Sequence, residues 1–409
     1  MSHLYDQSPL GKGFSLDLFG RLKVSNPYTL FDSTHRYTQD GDYDDVVLGA
    51  GSTVGIITAQ STATLGIGTT AGCSIIRESK RVFSYQPGKA LQTFQTFVLN
   101  PAKTNLVQRV GYASSENGIM LELNGSQVNI IKRTAISGIG TTVTVPQSQW
   151  NQDPLDGTGI SGINLDFTKA QLMFTEYEWL GVGCVRVGFV NENGTFHIAH
   201  IFNHTNTLDS AYMTTASLPV RYEIFNTGIT TSASTMKQIC VSIQSNGGYE
   251  KVVARDVARR NNIIAGITSS VNFTPVVSIR LAPGREDAII LPKAYSFLAS
   301  SSGTGSIVEI ALIKNGAINA NSWSSTSSLN VQQNTDATGI VTGGTIILND
   351  YVSAANKITN PINIEAVYNW DLQLGRTQAK LSDVYTLAAR VVDGTATDFI
   401  GSIQFFDLT

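Results

Sequence analysis

Apolar and polar positions alternate in short runs over most of this chain, and turn-forming pairs separate the runs. Leu91–Leu99, Gln108–Ala113, Ile119–Leu123, Gln127–Arg133, Gln171–Trp179, Cys184–Val190, Thr195–Phe202, Val220–Asn226 and Gln238–Gln244 have the β-branched and aromatic content of strands. Asn117-Gly118, Asn124-Gly125, Asn193-Gly194 and Asn246-Gly247 lie between or just after them. Asn-Gly is a strong hairpin signal because both central residues of the favoured turn take positive φ. GIMLELNGSQVNIIKR and VRVGFVNENGTFHIAH therefore each predict one hairpin. So many antiparallel strands pack most economically as two facing sheets. Residues 46–249 are read as a sandwich similar to a concanavalin-like jelly roll.

The flanks carry a different pattern. Residues 1–45 intersperse short apolar groups with Pro9, Gly11, Gly13, Gly20 and Pro27. Such a segment has no core of its own and needs another surface, from its own chain or a neighbouring subunit. It is read as an extended arm. EKVVARDVARRNN, residues 250–262, reads either as helical turns with Arg255 and Arg259 four apart or as an extended basic linker. Residues 263–409 again show strand-like runs, joined by nearly uncharged loops such as SSSGTGS and NANSWSSTSSLNVQQNTDATG. The expected fold class is all-β: an N-terminal extended arm, a jelly-roll sandwich and a second, smaller C-terminal β-sandwich.

Composition narrows the function classes. A chain of 409 residues exceeds what one core usually supports. Its charged fraction is 14%, against about a quarter in ordinary domains. Ser, Thr, Asn, Gln and Gly must therefore cover its surface. A net charge of −3 argues against nucleic-acid binding, which needs a basic stripe to displace counterions. Cys73, Cys184 and Cys240 form no metal-type pair and are read as reduced thiols. The leading MSHLYDQSPLGKGF lacks the pattern of a signal peptide, and no apolar run reaches membrane-spanning length.

Few residues offer chemistry. Glu176 and Glu178 in FTEYEW sit two apart, on one face of a strand. Retaining glycosidases use two carboxyl groups about 5–5.5 Å apart. A laminarinase-like motif has three alternating acids, however, and the third position here is Leu180. Structural hydrogen bonding or subunit contact is the preferred reading of this pair. His197, His200 and His204 mimic a metal cluster, but strand residues three apart face opposite sides, so no metal and no cofactor is expected. Asp40, Asp42, Asp44 and Asp45 lack the glycine and glutamate of a calcium loop and are read as a solvated turn, with an irregular calcium site as the alternative. Trp323, in a loop poor in apolar residues, is the best candidate for a glycan or receptor contact.

Several blocks recur together in one known family. They are FGRLKVSNPYTLFDS (Phe19–Ser33), ESKRVFSYQPGKA (Glu78–Ala90), WNQDPLDGTG…EYEWLGVG (Trp150–Gly183), YMTTASLPVRYEIFNTG (Tyr212–Gly228), QICVSIQSNGGYE (Gln238–Glu250) and TPVVSIRL (Thr274–Leu281). In these blocks the chain resembles a family of tailed-bacteriophage virion structural proteins found among marine and cyanobacterial phages. The resemblance implies a role in assembly, as a capsid decoration or head fibre or as a neck or tail fibre component. On that reading Phe19, Arg21, Leu22, Val24, Pro27, Leu30 and Phe31 dock the arm to the particle. The partners are other virion proteins, a homotrimer is expected, and host-surface glycan is a further partner. Assembly takes place in the bacterial cytoplasm and the chain resides in the virion. No enzymatic activity is expected. A glycan-binding receptor module or a polysaccharide depolymerase is the alternative.

Overall fold

In a computed structural model of the chain, the described residues are 26–251, 254–268, 271–301, 305–319, 322–354, 362–364, 368 and 370–409. Phe19, Arg21, Leu22 and Val24 of the arm lie outside them. The chain divides into a first unit ending at Glu250 and a second beginning at Lys251. Both are built almost entirely from antiparallel strands.

The first unit runs through β1 (Tyr28–Ser33), β2 (Tyr43–Leu48), β3 (Thr53–Ile57), β4 (Thr62–Ile67), β5 (Ser74–Ser79), β6 (Ala90–Val98), β7 (Leu106–Ala113), β8 (Gly118–Asn124), β9 (Gln127–Thr134), β10 (Thr141–Pro146), β11 (Gln171–Tyr177), β12 (Val185–Val190), β13 (Phe196–Phe202), β14 (Val220–Asn226) and β15 (Ser234–Asn246). An eight-stranded sheet has the order β13-β12-β11-β6-β15-β4-β3, with β1 also on β15. A seven-stranded sheet has the order β10-β9-β8-β7-β14-β5-β2. Strand side chains alternate between faces, and here one face of each sheet turns inward. Leu91, Phe97, Val110, Leu121, Ile224 and Ile243 are each 1% exposed or less. Burying such a side chain stabilises by about 1.5–3 kcal/mol, so these two inner faces hold the body together.

Both predicted hairpins form. Asn124 faces Gln127 across the β8–β9 turn, where Gly125 takes φ +57°. Val190 faces Phe196 across the β12–β13 turn, where Gly194 takes φ +75°.

The second unit contains β16 (Ala254–Arg259), β17 (Ile264–Ile267), β18 (Thr274–Leu281), β19 (Ile290–Ser301), β20 (Ile307–Lys314), β21 (Trp323–Ser325), β22 (Val331–Asn334), β23 (Thr345–Ser353), β24 (Ile362–Asn363), β25 (Val384–Asp393) and β26 (Thr397–Asp407). Its five-stranded sheet has the order β16-β26-β19-β24, with β17 also on β26, and its six-stranded sheet the order β21-β22-β18-β25-β20-β23. Val276, Ile279, Leu312, Leu387, Phe399 and Phe405 are buried in one core between them.

Three local expectations change. The segment read as the end of the arm is a strand of the first body: Tyr28–Ser33 pairs with Val241–Ser245. Leu30 and Phe31 are each 3% exposed, with the Phe31 ring stacked 4.8 Å from Phe83. These two apolar side chains are buried within their own chain, while Pro27 is exposed. The segment read as helical turns or linker contains β16, in register with β26 from Ala254–Asp407 to Arg259–Ser402. The four-residue spacing of Arg255 and Arg259 is a coincidence of strand alternation. Trp323 belongs to a short edge strand, not a loop, facing Asn334.

Candidate functional site

The two predicted carboxylates lie on the outer face of the eight-stranded sheet. Thr175 and Tyr177 turn inward, Tyr177 donating its hydroxyl to the Tyr112 carbonyl at 3.2 Å. Glu176 therefore turns outward, between Gln92 on β6 and Arg186 on β12. Arg186 Nη1 donates to Glu176 Oε2 at 3.2 Å, and Glu176 is only 2% exposed. Glu178 lies just past the end of β11, with Oε2 3.9 Å from Cys184 Sγ. Burial, then the Glu178 charge, pushes the Cys184 thiol up to about 11, so it is not a thiolate nucleophile. Beside this row Phe174, Phe94 and Phe196 form an aromatic cluster, with the Phe174 and Phe196 centroids 5.0 Å apart. Gly188 lies beneath it, where a Cβ would come within 2.6 Å of the Phe174 ring. Leu180, the position of the missing third acid, turns with φ +37° and is 48% exposed.

A deeper feature, formed by residues far apart along the chain, lies on the outer face of the seven-stranded sheet. Strand registers place Glu78, Arg221, Glu223, Arg109 and Glu122 on adjoining outward positions of β5, β14, β7 and β8. Glu223 receives both terminal nitrogens of Arg133 at 2.9 and 2.8 Å, Arg109 Nη1 at 2.9 Å and Arg221 Nε at 2.5 Å. Arg109 Nε donates to Glu122 at 2.7 Å, and Arg221 Nη1 donates to Glu78. Three arginines thus meet three glutamates. Burial alone would raise the Glu223 pKa, but Arg133, then Arg221 and Arg109, hold it well below the usual carboxylate range. Above this lattice is an open cavity of about 550 Å³, lined in part by Arg109, Arg133, Arg221, Glu223 and Phe225. Arg109 stacks over the Phe225 ring at 5.0 Å.

The histidines occupy separate environments. His197 Nε2 is 3.1 Å from Asn191 Nδ2, and His200 Nδ1 accepts from the Asn151 N–H at 3.3 Å. His204 sits 2.6 Å from the Gly183 carbonyl through Nδ1 and 3.0 Å from Lys132 Nζ through Nε2. That pairing makes Nδ1 the donor. Burial, with the Lys132 charge adding to it, lowers both His200 and His204 to about 4. The acidic run is likewise committed to protein partners. Asp45 pairs with Arg77 at 2.6 Å and Asp42 with Arg81 at 2.5 Å, while Asp40 accepts the Asp42 N–H. In the second unit, Arg280 covers a face of Trp323 at 4.2 Å, so that ring is not a bare stacking platform.

No family model matches the chain, and no curated protein does. Solved structures do resemble it. Bacillus licheniformis β-glucanase is 9% identical, with TM-score 0.34, covering 54% of this chain and 99% of its own. A β-1,3-glucanase from Mycobacterium marinum is 11% identical, with TM-score 0.35, covering 54% and 99%. The Emp47p carbohydrate recognition domain is 9% identical, with TM-score 0.32, covering 55% and 98%. Likeness at this identity concerns fold alone: a jelly-roll β-sandwich of the kind found in glucanases and carbohydrate-recognition domains. One expectation is corrected by this finding. Glucanases stand among the similar structures, so the reading that the chain has no enzymatic activity is withdrawn. No helix among the described residues is long and apolar enough to cross a membrane.

Proposed function

We propose that the first unit is a glycan-binding module whose groove on the seven-stranded sheet takes a neutral, hydroxyl-rich polysaccharide. The supporting observation is the charge-balanced lattice beneath that groove. Each guanidinium there is engaged by a carboxylate, so the surface presents donors and acceptors side by side with little net field. Sugar hydroxyls both donate and accept, and match such a surface. An acidic polymer would gain little Coulomb energy over balanced pairs. Phe225, its ring stacked against Arg109, adds some apolar surface to the lining. The family resemblance read from the sequence further supports carriage of this module on a tailed-phage particle, with a host-surface glycan as its target.

The test is affinity electrophoresis of the full chain through gels containing neutral glucans or polyuronates, at low and high salt. Retardation by a neutral polymer, indifferent to salt, is expected. Binding only to acidic polymers, abolished by salt, would overturn the reading. Reducing ends measured in the same mixtures report whether the bound polymer is also cleaved.

A further inference from the structure

On the outer face of the six-stranded sheet in the second unit, Arg280 meets no carboxylate among the described residues. Ile279, Leu281 and Val331 point into the core. Strand register therefore puts Ser278 and Arg280 of β18, Gln332 and Asn334 of β22, and Trp323 and Ser325 of β21 together on the opposite face. Arg390, on the same sheet, is paired with Glu309 at 2.7 Å. Arg280 has no such partner: burial lowers its pKa and no neighbouring charge opposes the shift. Asp336, two residues beyond Asn334, is engaged by Thr338 instead.

The guanidinium is nonetheless held in place. It lies 4.2 Å over the Trp323 ring, and its Nε and Nη2 donate to Gln332 Oε1 at 3.1 and 2.8 Å. Those bonds occupy the side edge of the fork and leave the end edge, Nη1 with the second Nη2 hydrogen, open. The neighbouring amides have their oxygens engaged, Gln332 by Arg280 and Asn334 by the Asp336 N–H at 2.7 Å. Gln332 Nε2 and Asn334 Nδ2 remain as donors, the latter buried without a hydrogen-bond partner among the described residues. Donors thus surround a cation that lacks a counter-charge. A carboxylate fits this arrangement, because it accepts two parallel bonds from one edge of a guanidinium.

We infer that this face binds the carboxylate of an acidic sugar. The end edge of Arg280 takes the carboxylate, Gln332 Nε2 and the exposed Ser325 hydroxyl meet ring hydroxyls, and Trp323 backs the guanidinium. An acidic peptide fits less well, since β21 is three residues long and offers little edge for a strand to pair with. The site lies within the second unit and does not depend on the groove of the first.

Fluorine NMR of the full chain labelled with fluorotryptophan tests this. Each of the four tryptophans gives a line, and Trp323→Phe assigns the one that reports the site. Galacturonate should move that line in a saturable way, and galactose should not. Arg280→Gln should weaken the response roughly tenfold or more, and Arg280→Lys, which keeps the charge but not the fork, several-fold. If neither variant leaves the other lines in place, the wild-type responses to galacturonate, galactose and N-acetylglutamate decide alone. A Trp323 line unmoved by galacturonate would overturn the proposal, as would a full response in folded Arg280→Gln. Equal movement with N-acetylglutamate would assign the site to a carboxylate of any source and overturn the sugar.

Discussion

Glu223→Gln isolates the lattice beneath the groove, because it keeps the shape of the side chain and deletes its charge. Glu223 is 4% exposed and accepts four hydrogen bonds from three arginines. Removing one partner from a buried ion network strands the others, at about 3–5 kcal/mol. For a body of this size 1 kcal/mol moves the melting temperature by roughly 2–4 °C, so a drop of about 6–20 °C is expected in the calorimetric transition of the first unit. The pH dependence has a definite sign. The folded pKa of Glu223 lies below its unfolded value, so its contribution is complete above the ordinary glutamate value of about 4.3 and drains away as pH falls beneath it. The variant should therefore lose stability at neutral pH and show a flatter acid limb. A loss under about 1 kcal/mol, the range of exposed pairs, would refute the claim that this network is buried and mutually dependent.

Other outcomes follow from single features. His200 and His204 are neutral when folded, with values near 4 against 6.5 in an open chain. Stability should then fall as pH drops from 6.5 toward 4, by roughly 3 kcal/mol for each ring, and His204→Gln should reduce that slope in pH-dependent denaturant titrations. Gly188→Ala drives a Cβ to 2.2 Å from the His197 carbonyl and 2.6 Å from the Phe174 ring; unfolding in urea should show a loss of about 1–3 kcal/mol. Phe225→Ala should weaken retardation by neutral glucan several-fold while shifting the melting midpoint little. A chain starting at Tyr28 should keep the folded first unit, whereas one starting at Arg36 should not, because it lacks β1, Leu30 and Phe31; circular dichroism melts of the two distinguish them.

The local parts of this fold were legible in the sequence because they depend on neighbours. Asn124-Gly125 and Asn193-Gly194 specify their hairpins with the residues on either side, and period-two alternation set the inward faces of β6 and β11. What depended on distant partners was not readable. Tyr28–Ser33 resembles a free arm until β15 is laid beside it, since its apolar side chains have no local counterpart. The ion lattice was invisible for the same reason. Glu78, Arg109, Glu122, Arg133, Arg221 and Glu223 are scattered along the chain, and only strand register makes them adjacent. The Glu176/Glu178 pair, conversely, was conspicuous because its spacing is local. The fold then placed Arg186 against Glu176 and shut it from solvent.

The pairing of Tyr28 with Ser245 sets a timetable for biosynthesis. The earliest strand of the first body to leave the ribosome finds its seat only after the latest one has emerged. Until then β1 hangs loose with Leu30 and Phe31 bare, a stretch of nascent chain that chaperones or sister chains can seize. Closing so long a loop is also slow. The whole body therefore locks as a single late event, and a ribosome stalled before β15 would leave a sheet with its opening strand unplaced.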